Sequence, residues 1–242
     1  MQQFLDWLNG HFAAFGQSFY DNLIRDDRWK LILEGFGNTL FIAAVATLIG
    51  ILLGVVVGVI RVSHAQSGKY KILNAICGVY LTVIRGTPVV VQLMILYYIV
   101  FASAPLEASI YVAALSFGIN SGAYVAEIIR AGILSIDRGQ TEAGRSLGLS
   151  QGQTMRKIVL PQAIKNILPA LFNEFIVLLK ETSVAGYVGI RDLTKASDII
   201  RSRTWSAFFP LLTIALIYLV VVVGLTKVQK IIERRLSQSD NR

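Results

Sequence analysis

GNTLFIAAVATLIGILLGVVVGVI, residues Gly37 to Ile60, is a run of the chain without one charged side chain. As a helix rising 1.5 Å per residue it would be about 36 Å long, enough to cross the roughly 30 Å hydrocarbon core of a bilayer. Within it Gly50, Gly54 and Gly58 stand four apart on one face. A ridge without side chains lets another helix backbone come close, and packing inside the same chain is preferred to a seam between two copies.

The rest of the chain agrees with a membrane protein. Of its 242 residues 54% are hydrophobic and 16% charged, with a mean hydropathy of +0.59; this is too apolar for an ordinary water-soluble domain. That length fits about five crossings and short loops, leaving no sizeable soluble domain. The net charge of +8 comes from 23 Lys+Arg against 15 Asp+Glu, but these residues punctuate apolar runs and form no single basic face, so a nucleic-acid partner is not expected. Cys77 is the one cysteine, and His11 and His64 lie far apart, which leaves no disulfide, no zinc framework and no metal site to expect. Met1 to Phe15 shows neither a basic leader nor a small-residue cleavage site, so a removable signal is not read there.

Moving outward, Phe4, Leu8, Phe12, Phe15, Phe19 and Leu23 recur at helical spacing between polar residues. Residues 1–30 are therefore read as an amphipathic helix, lying at the membrane interface or packed on its own protein. Ile72 to Ala104 is apolar apart from Arg85 and, at about 50 Å as one straight helix, must break or tilt strongly. Arg85-Gly86-Thr87-Pro88 supplies the break, with Thr87 as a cap and Pro88 in the first turn of the second span, about Pro88 to Ala104. The third span is about Ser109 to Leu134. The fourth is about Ile158 to Leu179, with bends expected at Pro161 and Pro169. The fifth, Phe208 to Thr226, has no charge. Twelve basic residues fall in segments 61–74, 135–157 and the tail after 226, against seven in segments 25–30 and 181–205. The positive-inside rule then places the N-terminus outside and the C-terminus in the cytoplasm, with four basic residues in the external loop 181–205 running against it.

Between the third and fourth spans lies Glu142-Ala143-Gly144-Arg145-Ser146-Leu147-Gly148, followed after nine residues by Ile158-Val159-Leu160-Pro161. Thr141 can cap a helix that begins at Glu142, and Gly148 can take the left-handed turn that stops it. Ser150 and Gln153 form a capping box that restarts a helix into the membrane. By helix physics alone this is either a solvated turn or a structured docking surface.

The string resembles the EAA loop of permease subunits in ATP-binding-cassette (ABC) importers, whose pattern is Glu-Ala-Ala, three residues, Gly, nine residues, Ile-x-Leu-Pro. Glu142, Ala143, Gly148, Ile158, Leu160 and Pro161 fall in register. Gly144 departs from the second Ala, a change expected to weaken the helix by about 1 kcal/mol without altering its contact shape. The resemblance narrows to the polar amino acid subfamily through Gly37-Asn38-Thr39-Leu40, Arg85-Gly86-Thr87-Pro88 with Gln92, Ala123 to Arg130, Asn173-Glu174-Phe175, and Leu179 to Ser183. It covers roughly residues 30–235.

The resemblance implies an all-α integral membrane protein, a type I importer permease of the MetI-like kind with five transmembrane helices and an N-terminal interfacial helix. The permease domain would be 31–235, its coupling loop about 137–161, and 236–242 a cytoplasmic tail. It implies a bacterial inner-membrane location in contact with lipid, a second permease subunit, identical or homologous, and a dimer of cytoplasmic ATPase subunits. An extracytoplasmic protein would deliver the amino acid. Glu142, Ala143, Gly144, Leu147 and Gly148 would couple to the ATPase. This chain would bind no cofactor; ATP and magnesium would be used by the ATPase partner. Gly68-Lys69 is the only Gly-Lys pair, and it is followed by Tyr70 and preceded by Ser63 where a phosphate loop needs its first Gly.

Ionisable groups within spans tend to face a cavity or a partner. Asn120, Tyr124, Glu127 and Ala131 follow i, i+4, i+7, i+11 spacing, so a polar stripe lines one face of the third span, with Ser121 nearby. Glu127 and Arg130 could instead neutralise each other. Glu127, or Glu174 on the fourth span, would meet the substrate's α-amino group or a cationic side chain; Thr87 and the free amides at the start of the second span would meet its carboxylate. Arg85 either attracts that carboxylate or snorkels and fixes the kink. Two other classes compete: a secondary transporter or channel, whose Glu and Arg would be a relay, and an intramembrane enzyme, for which no Ser/His pair or metal constellation is found in the spans. Within the resemblance, the chain could also be the non-binding half of a heterodimer.

Overall fold

A computed structural model describes residues 13–238, and every regular element among them is helical. The uncharged run becomes the middle of α1, Trp29–Ser67, a 39-residue helix closed by Gly68 at φ 68 with its N–H on His64 O at 2.8 Å. α2 spans Lys71–Gly86 and α3 Val89–Ile95, which a π turn extends through Val100. α4 is Ser109–Leu134 and α5 Arg138–Ser146. α6, Gln151–Thr154, runs on through the π turn Met155–Val159 into α7, Leu160–Glu181. α8, Leu193–Thr204, and α9, Phe208–Gln238, complete the chain.

Among the described residues four helical stretches are long and apolar enough to cross a membrane, and a fifth is reached when α2 and α3, bent by 109°, are taken together as one broken span. The expected second span, Pro88 to Ala104, needs correction. Its helix ends at Val100, and twelve residues give only about 18 Å, too short to cross alone. The expected segment 61–74 is no open loop either, since α1 continues to Ser67 and α2 starts at Lys71. Pro161 sits in the first turn of α7, and Pro169 lies inside that helix.

α4 is the centre of the bundle. In its most apolar stretch 72% of residues are buried, against 17% for α9, whose Leu219 and Val220 are exposed. A helix that is apolar all round and buried only on one side presents the remainder to lipid. α1 meets α4 through glycines from both sides. A Cβ on Gly50 would lie 3.0 Å from Ser121 Oγ, one on Gly58 3.0 Å from Ile129 Cγ2, and one on Gly118 2.6 Å from Ile49 Cβ; Gly54 stands directly against Val125. The expectation that this ridge packs inside the chain is met. With no hydrophobic effect between helices in lipid, this close backbone approach is what dispersion and weak polar contacts require.

Segment 181–205 is folded, where an external loop was expected. After a 3₁₀ turn, Thr182–Val188, the chain turns at Gly189 and α8 packs on α1. Asp192 caps α8 by accepting from Thr194 N at 2.9 Å and Lys195 N at 3.1 Å. Thr39 Oγ1 accepts from Leu193 N at 3.1 Å, and Asn38 Nδ2 donates to Arg191 O at 2.9 Å. Gly35 lets this turn approach, since a Cβ there would lie 2.7 Å from Asp192 O. The basic residues that ran against the charge rule are thus held in a packed cap. Of the helix expected over residues 1–30, residues 1–12 lie outside the described residues. The described part packs on its own chain: Phe15 and Phe19 lie edge-on to Phe209 at 4.9 and 5.9 Å, and Leu23 is buried with Leu193, Ile200 and Ile214.

Candidate functional site

The residues expected to meet substrate fall into three groups around α4. The first is the bend between α2 and α3. Gln92 Nε2 donates to Ile84 O at 2.8 Å, Thr87 O at 3.1 Å and Thr87 Oγ1 at 2.8 Å, while Gln92 Oε1 accepts from Asn120 Nδ2 at 2.9 Å. A helix that stops inside a membrane leaves carbonyls without partners, and the Gln92 amide satisfies two of them. Thr87 was expected to cap the second half of the break. Instead its hydroxyl donates back to Val83 O at 2.8 Å, at the end of α2, and the residue before α3 is Pro88 with no side-chain cap. Asn120 is 3% exposed and serves this bend.

The second group faces more open space. Arg85 on α2 holds its guanidinium 5.6 Å from the centre of the Tyr124 ring, a cation–π distance. One turn further along α4, Glu127 pairs with Arg130, whose Nε donates to Glu127 Oε2 at 3.0 Å. Arg85 and Arg61 also act on that carboxylate through space. Arg61 lies across α2, its Nη1 donating to Asn74 Oδ1 at 2.9 Å. Glu127 is therefore in direct contact with one guanidinium group, Arg130, and within electrostatic reach of two more, Arg85 and Arg61, while Tyr124 lies beside Arg85.

The third group is a pair. Ser121 Oγ donates to Glu174 Oε1 at 2.9 Å, joining α4 to α7. Ser121 turns about 100° around the helix from Asn120, which explains why it leaves the stripe and lies against Gly50 of α1. Of the residues expected to meet substrate, the structure thus brings Arg85 to Tyr124 and Glu127, joins Thr87 and Asn120 through Gln92, and sets Ser121 and Glu174 together. Gln92 was noted only as part of a motif. Its signal was an uncharged polar side chain four residues after a proline, inside an apolar run. Tyr80 gave no signal; its Oη donates to Ile119 O at 2.6 Å.

On the loop between α4 and α7, α5 starts earlier than expected. Asp137, in place of Thr141, is the cap and accepts from Gly139 N at 2.6 Å, so Glu142 lies in mid-helix and not in the first turn. Gly148 at φ 81 ends the helix, with Gly148 N on Arg145 O and Leu149 N on Gly144 O at 3.0 and 3.1 Å. The Ser150–Gln153 capping box is formed in both directions. Glu142, Ala143 and Leu147 are exposed, Leu147 to 81%, while Gly144 is buried. The expectation that Gly144 leaves the contact shape unchanged is overturned, because a Cβ there would lie 2.7 Å from Thr154 Cγ2.

Residues 50–238 match the family described as "Binding-protein-dependent transport system inner membrane component". The chain is 39% identical to the arginine transport system permease protein ArtQ of Bacillus subtilis, over 86% of this chain and 94% of that one. It is 36% identical to the glutamine transport system permease protein GlnP of Escherichia coli, over 85% and 93%. Among solved structures it resembles a chain of an amino acid ABC transporter crystallised with histidines: TM-score 0.79, 42% identity, 85% of this chain and 94% of that one. An inward-facing MetNI methionine ABC transporter chain shares the fold, with TM-score 0.72 and 23% identity over 88% of this chain and 99% of that one.

Proposed function

We propose that this chain, which belongs to the family of inner membrane components of binding-protein-dependent transport systems, is the permease subunit of an ATP-driven importer of polar amino acids. Membership of an ABC permease family, with relatives of this identity, favours that reading over a gradient-driven carrier. The chain is a multi-pass membrane subunit and not a catalytic enzyme.

One observation carries the coupling part of the reading. α5 is a separately capped helix whose motif residues Glu142, Ala143 and Leu147 point away from the rest of the chain. An exposed leucine at the end of a helix that also exposes Glu142 and Arg145 offers apolar surface that a partner's pocket would remove from water. The partner is a dimer of ATPase subunits that uses ATP and magnesium. A second permease chain completes the pathway, and an extracytoplasmic binding protein delivers the amino acid. Closure of the ATPase pair moves α5 and, through it, the spans. The distribution of basic residues supports an outside N-terminus and a cytoplasmic α5 and C-terminus.

For the substrate, Arg85, Tyr124 and Glu127 form the favoured contact set. A zwitterion needs both signs, and here a carboxylate stands among guanidinium groups beside an aromatic face. Thr87, Asn120, Ser121 and Glu174 act as positioning residues through the bonds described, Thr87 and Asn120 at the bend and Ser121 with Glu174 between α4 and α7. The test is reconstitution in liposomes with the ATPase and binding protein of the same system. Uptake of a polar amino acid should require ATP and both partners; uptake by the permease alone along an ion gradient would overturn the proposal.

A further inference from the structure

α5 packs against the helix that enters the membrane at Gly144, beside one polar bond in which Gln162 Nε2 of α7 donates to Gln140 Oε1 of α5 at 3.5 Å. A Cβ on Gly144 would lie 2.7 Å from Thr154 Cγ2, 3.1 Å from Thr154 Oγ1 and 2.9 Å from Ile158 Cδ1. Ile158 offers only the tip of a flexible side chain. Thr154 cannot yield in the same way, because it is wholly buried, β-branched and tied to Ser150 O by both its backbone N–H at 2.9 Å and its Oγ1 at 3.1 Å. Ser150 is itself fixed by the capping box with Gln153. From Thr154 the helical path runs without a break into α7, which carries Glu174. Force applied to the exposed side of α5 therefore reaches the spans across the Gly144–Thr154 seam.

We propose that Gly144 and Thr154 are a matched pair of positioning residues, which seat α5 on the root of α7 so that the two move as one lever. The proposal rests on the reading that α5 docks on an ATPase. It accounts for the Gly144 departure from the family's alanine as the complement of a threonine at position 154.

The test measures amino acid carried per ATP hydrolysed in the reconstituted complex, with the amount of assembled complex quantified alongside. Gly144→Ala should lower that ratio about fivefold or more, the scale set by forcing one methyl into a packed seam. Adding Thr154→Ser, which removes Cγ2 but keeps the hydroxyl, should restore the ratio; adding Thr154→Val, which keeps the methyl, should not. If Gly144→Ala assembles poorly, the same two double variants are compared for yield and ratio. An unchanged ratio in Gly144→Ala, or equal rescue by Ser and Val, overturns the seam. ATP-driven uptake by the wild-type complex is the reference, so its failure would count against the docking reading and not against the seam.

Discussion

Asn120 reaches from α4 to Gln92 on α3, its Nδ2 2.9 Å from the Gln92 side-chain oxygen, and so ties the most buried of the four long apolar helices to the 109° bend between α2 and α3. Both side chains are buried, so removing one partner leaves the other unsatisfied. Gln92→Leu should cost about 2–3 kcal/mol and lower the thermal midpoint of the purified permease, with Gln92→Glu no better, because a carboxylate cannot donate to the carbonyls of Ile84 and Thr87. A midpoint equal to wild type in both variants would show that the bend does not depend on this amide.

The α1–α4 seam predicts a contrast between two glycines of one helix. Gly54→Ala pushes a methyl into Val125 and, at 2.9 Å, toward Ala126 N, and should destabilise by about 1–3 kcal/mol. Gly37→Ala meets nothing within 4 Å and should be neutral or stabilising by up to about 1 kcal/mol, since alanine favours the helix. Thermal unfolding in detergent separates the two.

Leu147 is exposed to 81%, so Leu147→Asp should change the permease's own stability by less than about 0.5 kcal/mol. If the leucine seats in the ATPase, binding should weaken about tenfold or more, read as ATPase recovered on a tagged permease. Full recovery would place the docking contact elsewhere on α5.

Glu127→Gln tests the substrate set. It removes the carboxylate that pairs with Arg130 and feels Arg85 and Arg61 through space, and the KM for uptake should rise, with Arg85→Gln altering it independently. Unchanged affinity and rate in the Glu127 variant would remove that residue from substrate contact.

Asp198, on α8 outside the spans, accepts from Arg201 at 2.5 Å and Lys195 at 3.1 Å, and these cations hold its carboxyl below the usual range. A depressed carboxylate contributes fully above its unfolded pKa of about 3.9 and is lost only as pH falls through the lower folded value. Uptake by wild type and Asp198→Asn should therefore show the same pH profile between about pH 5 and 8. A divergence inside that window would mean that the group titrates there.

Much of this architecture was open to reading along the chain because its determinants are local. The uncharged run at Gly37–Ile60, the glycine ridge of α1, the limits of α4, the break at Arg85–Pro88 and the Ser150–Gln153 box each depend on neighbours within a few residues. α5 was legible as a motif, though its first turn was not, because Asp137 and Thr141 are both able caps and only the folded loop selects between them.

What lay beyond sequence were the relations between distant segments. Which way α2 turns, that Asn120 bonds Gln92 at the bend, that Ser121 finds Glu174, and that segment 181–205 folds onto Thr39 are set by contacts between residues up to 154 positions apart. Hydropathy is summed one residue at a time and fixes that a helix sits in lipid. A hydrogen bond or a close glycine contact exists only between two positions, and it forms only after packing has brought them within a few ångströms.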